Sequence, residues 1–291
     1  MYNSSSTLDA LFAGLRANRD SIAQLALVDN GSSDSSAALA RAALADLGVD
    51  GVVIESTNVG FAGGHWAARA AFNDITLPTL CLNPDVQLDE GALRDMILVQ
   101  QTSQGEAAIV TTPLIGLDGV EDSASRRRLP TLTTGALYSL VGKLLPQRLR
   151  YNRVVATPTQ TLGGIEVSQV EATTGALMLV SPSFRAASTG IFDRDYFMYG
   201  EDLQLCLDAK TAGRSVIMVE RRASVHVKGV SSGFPRSWRS NRAFHDALFV
   251  YYSKNLSRTP IDRALVRLAV GARLFLSGAA GILARSFRRR S

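Results

Sequence analysis

Residues 22–55 read IAQLALVDNGSSDSSAALARAALADLGVDGVVIE and hold a complete strand, turn, helix and strand pattern. The apolar run from Ile22 to Val28 predicts a strand, and the polar turn 29–34 leads into a Ser-capped helix that continues to about Leu47. Gly51 to Glu55 is a second short apolar run and predicts the next strand. A strand, a helix and a strand in this order indicate a parallel pair covered by the helix.

The alternation of strands and helices continues on the C-terminal side of this unit. We predict a helix over residues 64–73, a strand over Thr79–Leu82, a helix that Asp89 caps and that ends near Gln101, and a strand over Ala107–Thr111. This alternation predicts an α/β fold with a mixed, mostly parallel sheet and helices on both faces.

The rest of the chain is less regular and contains no internal repeat. We interpret residues 116–131 as a polar loop, 131–145 as a weak helix and 151–170 as irregular and antiparallel structure. Further strands and helices are predicted over 175–180, 182–189, 203–212, 215–219, 224–227, 236–255 and 261–290. Together these elements predict one domain over residues 1–257, divided near residue 115, and a basic amphipathic helix over residues 258–291.

Composition limits the classes of protein to which the chain can belong. Of the 291 residues, 46% are hydrophobic and 20% are charged, so a sizeable core can form and wholesale disorder is excluded. The net charge is +5, and the arginines that crowd residues 263–290 form a local basic arm suited to anionic lipid or nucleic acid. Cys81 and Cys206 form no CxxC motif, which is typical of a reducing cytoplasm.

The sequence has no pattern typical of an exported or membrane-spanning protein. The N-terminus has no apolar core of signal-peptide length, and no stretch reaches the roughly twenty apolar residues that cross a bilayer. The nearest candidate, residues 274–284, is short and bracketed by Arg273 and Arg285. We expect a cytoplasmic protein that is peripheral on the inner face of the plasma membrane, where its C-terminal helix contacts an anionic membrane surface.

Polar motifs follow three of the predicted strands. Asp29 ends one strand, Asn58 and a glycine-rich run follow the next, and Asn83-Pro84-Asp85 ends the third. In open α/β sheets, ligands bind beyond the carboxyl ends of the strands. A GxxxxGK[ST] motif is absent, which excludes a P-loop, and GFAGG lacks the GxGxxG spacing of a dinucleotide site. Asp85 is either a ligand for a hard divalent cation or part of an ordinary turn.

A second group of candidates lies in the C-terminal half. Residues 189–202 read TGIFDRDYFMYGED, an aromatic cluster followed at once by Glu201 and Asp202 at a helix start. This pair is either a general base with its neighbour or an acidic N-cap pair on an ordinary helix. His226, which follows a strand, is either a ligand or a structural histidine. The TTG run at residues 173–175 either caps a helix or lines a pocket.

The set and order of these motifs resemble the family 2 glycosyltransferases with a GT-A fold, especially their bacterial rhamnosyltransferase-like branch. The resemblance covers residues 2 to about 255 and implies a nucleotide-binding half over residues 1–115 and an acceptor-binding half over residues 116–257. The matching segments are YN at 2–3, VDNGSSD at 28–34, NVGFAGG at 58–64, LNPDV at 82–86, TTGALMLV at 173–180, GIFDRDYFMYGED at 190–202, and His226 with Ser231 beyond it.

The resemblance also implies an activity, which is the inverting transfer of a sugar. The donor would be a dTDP- or UDP-sugar, with dTDP-rhamnose favoured, and the acceptor a cell-surface polysaccharide or a lipid-linked saccharide. Such a transfer needs one carboxylate to take the acceptor proton and a cation, Mn²⁺ or Mg²⁺, to stabilise the departing diphosphate. The implied roles are Asp202 as general base with Glu201 beside it, Asp85 and His226 as metal ligands, Tyr2, Asp29, Asn58 and Asn83 as nucleotide-binding residues, and Thr174 and Gly175 as acceptor-binding residues.

The sequence departs from the family pattern at four positions of the proposed site. Trp66, Arg194, Gln204 and Asp208 stand where the family usually has Asn, Glu, Asp and Arg. These changes affect the acceptor side and the identity of the sugar more than the metal. Nucleic acid is not an expected partner, because aromatic and basic residues interleave only over residues 236–255, a pattern that favours a packed helix.

Only five residues precede the first predicted helix, residues 6–17. The family's first strand, which is central in this fold, would stand there, so we expect that strand to be missing. Its loss would leave buried backbone groups unpaired at about 1–3 kcal/mol each, against a domain stability of about 5–15 kcal/mol. We therefore expect the chain as it stands to be poorly soluble and inactive. The alternative function is that of an inactive, N-terminally truncated relative that only binds nucleotide or acceptor.

Overall fold

The computed structural model describes residues 1–72, 76–131, 158–185, 190–227 and 237–288. Over these residues the predicted alternation of strands and helices is confirmed. The helices are α1 (Leu8–Ala17), α2 (Ser36–Leu47), α3 (Gly60–Ala71), α4 (Ala92–Thr102), α5 (Pro182–Arg185), α6 (Glu201–Thr211), α7 (Trp238–Asn255) and α8 (Pro260–Arg288), with a 3₁₀ turn at Arg19–Ser21. The helix predicted over 131–145 falls outside the described residues after Thr131.

The strands form three sheets. They are β1 (Gln24–Asp29), β2 (Asp50–Glu55), β3 (Thr79–Leu82), β4 (Val86–Gln87), β5 (Ala107–Thr111), β6 (Leu114–Ile115), β7 (Thr159–Leu162), β8 (Ile165–Val170), β9 (Leu177–Val180), β10 (Ser215–Val219) and β11 (Ser224–His226). The sheet orders are β1-β2, β3-β9-β5-β10-β8-β7 and β4-β11-β6. In the six-stranded sheet β3, β5, β10 and β7 run one way and β9 and β8 the other, so the predicted mixed α/β fold is confirmed.

The six-stranded sheet is covered on both faces. Its strands β5 and β9 read AAIVT and LMLV, and every residue of both is buried, as a doubly covered strand requires. One face packs on apolar residues of α1 and α4, which include Phe12 and Met96, and the other packs on Phe192, Tyr196 and Tyr251. The sheet therefore gives the loops at its edge a rigid base.

The first two strands form a separate parallel pair. β1 runs beside β2 from the start to the end of both strands, and β2 is largely exposed to solvent. Met1 lies at the end of β1, where its α-amino group donates to the Val28 carbonyl at 2.5 Å and its own carbonyl accepts from the Asn30 N–H at 2.8 Å. These are the contacts of one parallel-strand residue opposite Asp29. Burial lowers the pKa of this amino group below its usual value.

An apolar cavity lies between β1 and β3. It has a volume of about 80 Å³, and its lining includes Leu25, Leu27, Leu80 and Leu82, with the imidazole of His65 on one side. Within the described residues no strand precedes α1, as the sequence predicted, and β1 belongs to a different sheet from β3.

The small third sheet joins two distant parts of the chain. In it β11 pairs with β4 in antiparallel and with β6 in parallel orientation. The Val227 N–H donates to the Asp85 carbonyl at 2.9 Å, which holds the turn after β3 against the end of β11. This pairing places Asp85 beside His226.

The prediction that Asp89 caps α4 through its side chain is wrong. Gly91 occupies the N-cap position with a φ of +73°, and the Leu93 N–H in the first turn donates to Asn18 Oδ1 at 3.1 Å. Asp89 contributes its main-chain carbonyl, which accepts from the Ala92 N–H at 3.1 Å and from Asn18 Nδ2 at 2.9 Å. A glycine takes the cap because the chain turns there through a left-handed conformation.

The two C-terminal helices pack against each other. Asn241 Nδ2 donates to Ser277 Oγ at 2.8 Å, and the Arg267 guanidinium lies 5.1 Å from the centroid of the Phe249 ring. On the other side of α8 a stripe of large apolar residues is between 61% and 74% exposed, namely Ile261, Leu265, Leu268, Phe275 and Leu276. Among the described residues, no helix is long and apolar enough to span a membrane.

Candidate active site

Asp202 lies in the first turn of α6, against the turn that precedes β9. Its Oδ2 accepts from the Gly175 N–H at 3.1 Å and pairs with Nη2 of Arg127, while its Oδ1 accepts from the Leu203 N–H at 2.7 Å. Gly200, with a φ of +82°, turns the chain into the helix just before this point. The carboxylate is therefore held in one orientation beside Gly175, and the roles of general base and acceptor-binding residue stay predictions.

Glu201 differs from its neighbour in its surroundings. Its side chain is buried, and Oε2 has no hydrogen-bond partner among the described residues. Burial and the adjacent charge of Asp202 raise the pKa of Glu201 to about 8. Burial thus favours the protonated form of Glu201, and the structure gives the two adjacent acidic residues different surroundings, one buried and one paired with an arginine.

Asp85 and His226 lie next to each other, as the sequence analysis predicted. His226 Nε2 is 3.5 Å from Asp85 Oδ1, and His226 Nδ1 is 3.2 Å from Asp122 Oδ2. Although burial lowers the pKa of the imidazole, its hydrogen bond with Asp122 and the negative charge of Asp85 outweigh that effect and raise the pKa to about 9. Asp122 orients the ring from behind, as a carboxylate does for a metal-bound histidine.

The residues present fit a divalent cation that a ligand completes. Asp85 Oδ1 is buried and has no hydrogen-bond partner among the described residues. Within that part of the chain, no group of three or more His, Cys, Asp or Glu side chains is arranged to hold a metal. Asp85 and His226 would thus supply two ligands, and substrate phosphates and water would supply the rest, which is usual for Mg²⁺. Cation binding at His226 requires loss of the ring proton.

The predicted nucleotide residues Tyr2 and Asp29 lie at the end of β1. The Asp29 carboxylate is buried and accepts from the Ser32 N–H at 3.1 Å and from Ser32 Oγ at 2.5 Å. Asn3 Oδ1 accepts from the Ser33 N–H at 2.8 Å, which holds the first residues of the chain against this turn. The Tyr2 side chain is 40% exposed. Both residues therefore lie near the turn after β1, and their role in binding the base stays a prediction.

Asn58 stands at the start of α3, where two parts of the site meet. Its Oδ1 accepts from the Gly60 N–H at 3.1 Å, and the Phe61 N–H donates to the Phe197 carbonyl at 2.7 Å. Gly60 has a φ of +80°, and a Cβ there would lie 2.1 Å from the Phe197 carbonyl oxygen. The glycine lets the loop before α6 rest directly on the N-terminus of α3.

Asn83 joins the turn that contains Asp85 to the turn beside Asp202. Its N–H donates to the Ala176 carbonyl at 2.9 Å. Thr174 Oγ1 accepts weakly from the Ala176 N–H at 3.4 Å, and Gly175 contacts Asp202 as described above. The dyad of Asp85 and His226 and the carboxylate of Asp202 therefore stand on neighbouring turns at one edge of the sheet.

Sequence reasoning missed Asp122 and Arg127, because both lie in the segment that was interpreted only as a polar loop. That segment is irregular, but Asp122 and Arg126 are buried in it, and Arg127 forms an isolated antiparallel bridge with Ala172. Neither residue belongs to a local motif, since the partners of both are about fifty to a hundred residues away in sequence. Three consecutive arginines were the one visible signal.

The four residues that depart from the family pattern contact one another in pairs. The Arg194 guanidinium lies 4.7 Å from the centroid of the Trp66 ring, and Trp66 Nε1 donates to the Phe192 carbonyl at 2.8 Å. Gln204 Nε2 donates to Asp208 Oδ1 at 2.8 Å. Each unusual residue thus has another as its neighbour.

Comparison with known proteins gives a family. The family described as glycosyl transferase family 2 matches residues 1–167. A search of curated proteins gives no match.

Solved structures give the fold. S. aureus TarS residues 1–349 is similar with a TM-score of 0.53 at 11% identity, over 95% of this chain and 78% of that one. GalNAc-T7, solved with UDP, GalNAc and Mn²⁺, has a TM-score of 0.53 at 14% identity, over 80% of this chain and 42% of that one. The longer S. aureus TarS chain has a TM-score of 0.50 at 12% identity over 94% of this chain, which spans 42% of its length.

Proposed function

The chain belongs to glycosyl transferase family 2, and we propose that it is an inverting glycosyltransferase that moves a sugar from a nucleotide-sugar donor to a saccharide acceptor. One observation carries the proposal. The Asp202 carboxylate is fixed beside Gly175, and the turn that contains Gly175 is hydrogen-bonded to Asn83, next to the dyad of Asp85 and His226. A proton acceptor and a place for a diphosphate therefore lie at one edge of the sheet.

The proposed reaction transfers one proton, forms one bond and breaks one bond. Asp202 accepts the proton of the acceptor hydroxyl, whose oxygen forms a bond to C1 of the sugar from the face opposite the leaving group. The bond between C1 and the phosphate oxygen breaks, and the nucleoside diphosphate leaves with its electron pair. Thr174 and Gly175 bind the acceptor so that its hydroxyl faces Asp202. Burial of Glu201 favours its protonated form, which places less negative charge beside Asp202 than two ionised carboxylates would.

The donor binds along the carboxyl ends of the first strands. Tyr2 and Asp29 bind the base, and Asn58 and Asn83 bind the remainder of the nucleotide. Asp85 and His226 would hold Mn²⁺ or Mg²⁺, which when bound stabilises negative charge on the diphosphate. This assignment is supported by the buried, unpartnered Asp85 Oδ1 and by Asp122 behind the histidine.

We propose a pyrimidine nucleotide as the carrier, with rhamnose from dTDP-rhamnose as the first donor to test and a polysaccharide or lipid-linked saccharide as the acceptor. A UDP-sugar is the competing donor, because TarS residues 1–349 was solved with UDP-GlcNAc. The two are separated by measuring release of dTDP or UDP from dTDP-rhamnose and UDP-GlcNAc, each with Mn²⁺ and with EDTA.

The proposal is tested with the Asp202→Asn variant. Removal of a general base costs about 10²–10⁴ in kcat, so we expect donor turnover to fall by that factor while calorimetry gives an unchanged Kd for the nucleoside diphosphate. Asp246→Asn, at an exposed position of α7 where the carboxylate pairs with Arg242, is the control and should retain activity. A kcat for Asp202→Asn within about threefold of the parent would contradict the assignment.

A second candidate function, binding without catalysis, is favoured by the contacts of Asp202. Both of its oxygens already accept hydrogen bonds, and one is paired with Arg127. In that case nucleoside diphosphate binds with Mn²⁺, but no donor is turned over, and Asp202→Asn changes nothing. The donor assay above distinguishes the two functions directly.

We also propose that α8 lies on an anionic membrane surface. Its exposed stripe of apolar residues faces away from α7, and its positions follow helical spacing. The same helix carries Arg263, Arg267 and Arg273, the last two stacked on rings of α7, and each basic residue near an anionic surface contributes about 1 kcal/mol, which salt screens. A cytoplasmic enzyme held there would face acceptors carried by lipid.

Co-sedimentation with vesicles tests this placement. The full chain should pellet with vesicles of phosphatidylglycerol and phosphatidylcholine at low salt, and less so at high salt or with phosphatidylcholine alone. Leu268→Glu, on the exposed stripe, should reduce binding, whereas Ala38→Glu, at an exposed position of α2, serves as a control for charge. Equal recovery in the supernatant under all conditions would rule the membrane surface out.

A further inference from the structure

Arg127 connects Asp202 to the acceptor turn. Its Nη2 donates to the Thr173 carbonyl at 2.8 Å and pairs with Asp202 Oδ2. The main chain of Arg127 bonds the Ala172 main chain in both directions, at 3.1 and 3.0 Å. One residue is thus tied at its backbone to the strand end before the turn, and at its side chain to both the turn and the carboxylate.

The pair of Arg127 and Asp202 is shielded from water. The side chains are 12% and 13% exposed. A charge pair in such a place is weakly screened, so removal of one partner leaves the other with a large desolvation cost. The pair fixes an orientation that exposed ions would not maintain.

The neighbouring arginines do not share this contact. Arg126 pairs with both carboxylate oxygens of Glu220, at 2.7 and 2.8 Å, and with Glu121 at 3.0 Å. Arg128 is exposed. Of the three consecutive arginines, the structure gives the contact with Asp202 to the middle one.

We propose that Arg127 is a positioning residue, which holds the Asp202 carboxylate and the Thr173–Gly175 turn in one arrangement so that the remaining lone pairs of Asp202 face the acceptor hydroxyl. This inference rests on the proposed transfer reaction. Arg127 does not touch the acceptor or the donor; it acts through Asp202 and the turn. The positive charge of the guanidinium also balances the negative charge of the Asp202 carboxylate before the proton is accepted. The guanidinium stays in place after the proton transfer.

The proposal predicts that loss of Arg127 affects kcat and donor binding differently. The residues assigned to the donor are held by partners of their own, since Asp29 accepts from Ser32 and His226 lies between Asp85 and Asp122. Loss of Arg127 should therefore lower kcat and leave donor binding intact. Misplacement of a reacting group by about 1 Å costs on the order of 10²-fold in rate, and that is the loss expected for Arg127→Gln.

The first experiment uses donor hydrolysis, with water as the acceptor, and the donor that the parent turns over. Arg127→Gln should lose about 10²-fold in kcat, and its KM for the donor and its Kd for the nucleoside diphosphate should stay within about threefold of the parent. Arg127→Lys, which keeps the charge and one donor, should lose less. Arg128→Gln removes the same charge from the next residue and should behave as the parent.

Added guanidinium distinguishes positioning from a general role in folding. Tens of millimolar guanidinium chloride should restore part of the kcat of Arg127→Ala, whereas equal sodium chloride should not. If guanidinium restores none of the kcat of Arg127→Ala, and this variant loses kcat and donor affinity in parallel, the proposal is overturned. An Arg127→Gln variant with the kcat of the parent would also overturn it.

A second experiment needs no activity and keeps the inference separate from the proposed function. Thermal unfolding is measured for the parent, Arg127→Gln, Asp202→Asn and the double variant. Because the two residues form one contact, the double variant should melt no lower than Arg127→Gln alone. Strictly additive losses would overturn the pairing, whereas absence of donor turnover in the parent would count against the proposed function alone.

Discussion

The two-stranded sheet and the six-stranded sheet carry different parts of the candidate site and are built differently. In β5, at the centre of the larger sheet, residues 107–110 are fully buried. In β2, Val52 is 41% exposed, and both ends of the strand face solvent. The carboxylate of Asp202 thus stands on a packed core, whereas Asp29 stands on a strand pair with one covered face.

This difference implies that the two sides of the site need not be equally stable. The donor side is the β1-β2 pair with Asp29, and the base side is the six-stranded sheet with Asp202. Regions with few buried apolar contacts open locally at lower free energy than the core of the same protein. The cavity between β1 and β3 separates the two sheets where a GT-A fold would be continuous. We therefore expect the base side to keep its shape under conditions in which the donor side opens.

Core substitutions give the largest expected difference between the sheets. Ile109→Ala should lower the free energy of unfolding by about 2–5 kcal/mol, because it removes buried methyl groups at a site that cannot collapse freely. Val52→Ala, the matched truncation on the exposed strand, should change it by less than about 0.5 kcal/mol. Urea denaturation measures both. Similar losses in the two variants would show that the sheets are equally packed.

The pH dependence of stability adds a second test, because the base side contains Glu201, a buried acid. The pKa of Glu201 is raised to about 8, so folding retains a proton that the unfolded chain releases above its ordinary pKa. The free energy of unfolding should fall as pH rises between these two pKa values, by at most about 1.4 kcal/mol per pH unit. Glu201→Gln should therefore melt higher than the parent at about pH 9 and nearly equally at about pH 4. A difference that does not change with pH would contradict this.

The metal dyad is tested through the residue behind it. Loss of a carboxylate that orients a metal-bound histidine costs about 10–100-fold in metal affinity. Asp122→Asn should weaken Mn²⁺-dependent binding of UDP or dTDP by that factor in calorimetry and leave metal-free binding unchanged. Asp118→Asn, in the same segment, is the control. Identical isotherms for Asp122→Asn and the parent would remove Asp122 from the site.

The smallest expected effect is the response of the donor side to nucleotide. At a nucleotide concentration of about ten times Kd, binding stabilises the bound state by about 1.4 kcal/mol. Hydrogen exchange of the β1 and β2 amides should slow accordingly when nucleotide binds. The β5 and β9 amides, which we expect to exchange only through global unfolding, should already exchange more slowly without nucleotide. Faster exchange in β5 than in β2 without ligand would reverse the comparison.

Local patterns in the sequence were enough for most of the fold. The strands Thr79–Leu82, Ala107–Thr111 and Ser215–Val219 were predicted to the residue, because short apolar runs between polar turns have few alternatives. The cap of α4 was wrong, since a backbone turn at Gly91 overrode the side-chain preference of Asp89. N-cap propensities, which treat each residue by itself, cannot predict the outcome of such a competition between nearby residues.

The candidate site was predictable where the ligand residues follow strands. Asp85 and His226 were paired by the resemblance and are adjacent in the structure, but their role as metal ligands stays a prediction. Asp122 and Arg127 could not be found, because their partners lie far away in the sequence and only the assembled sheets bring them together. The expectation of an insoluble, inactive chain also stays a prediction.

The contact between Gly60 and the Phe197 carbonyl has a consequence for recombination between family members. A chimera with its junction near residue 115 would take α3 from one parent and the loop before α6 from the other. The loop can rest on α3 only where residue 60 lacks a Cβ, and the Phe61 N–H then still has a carbonyl to bind. Parents should therefore be chosen for a shared glycine at this position before donor and acceptor halves are exchanged.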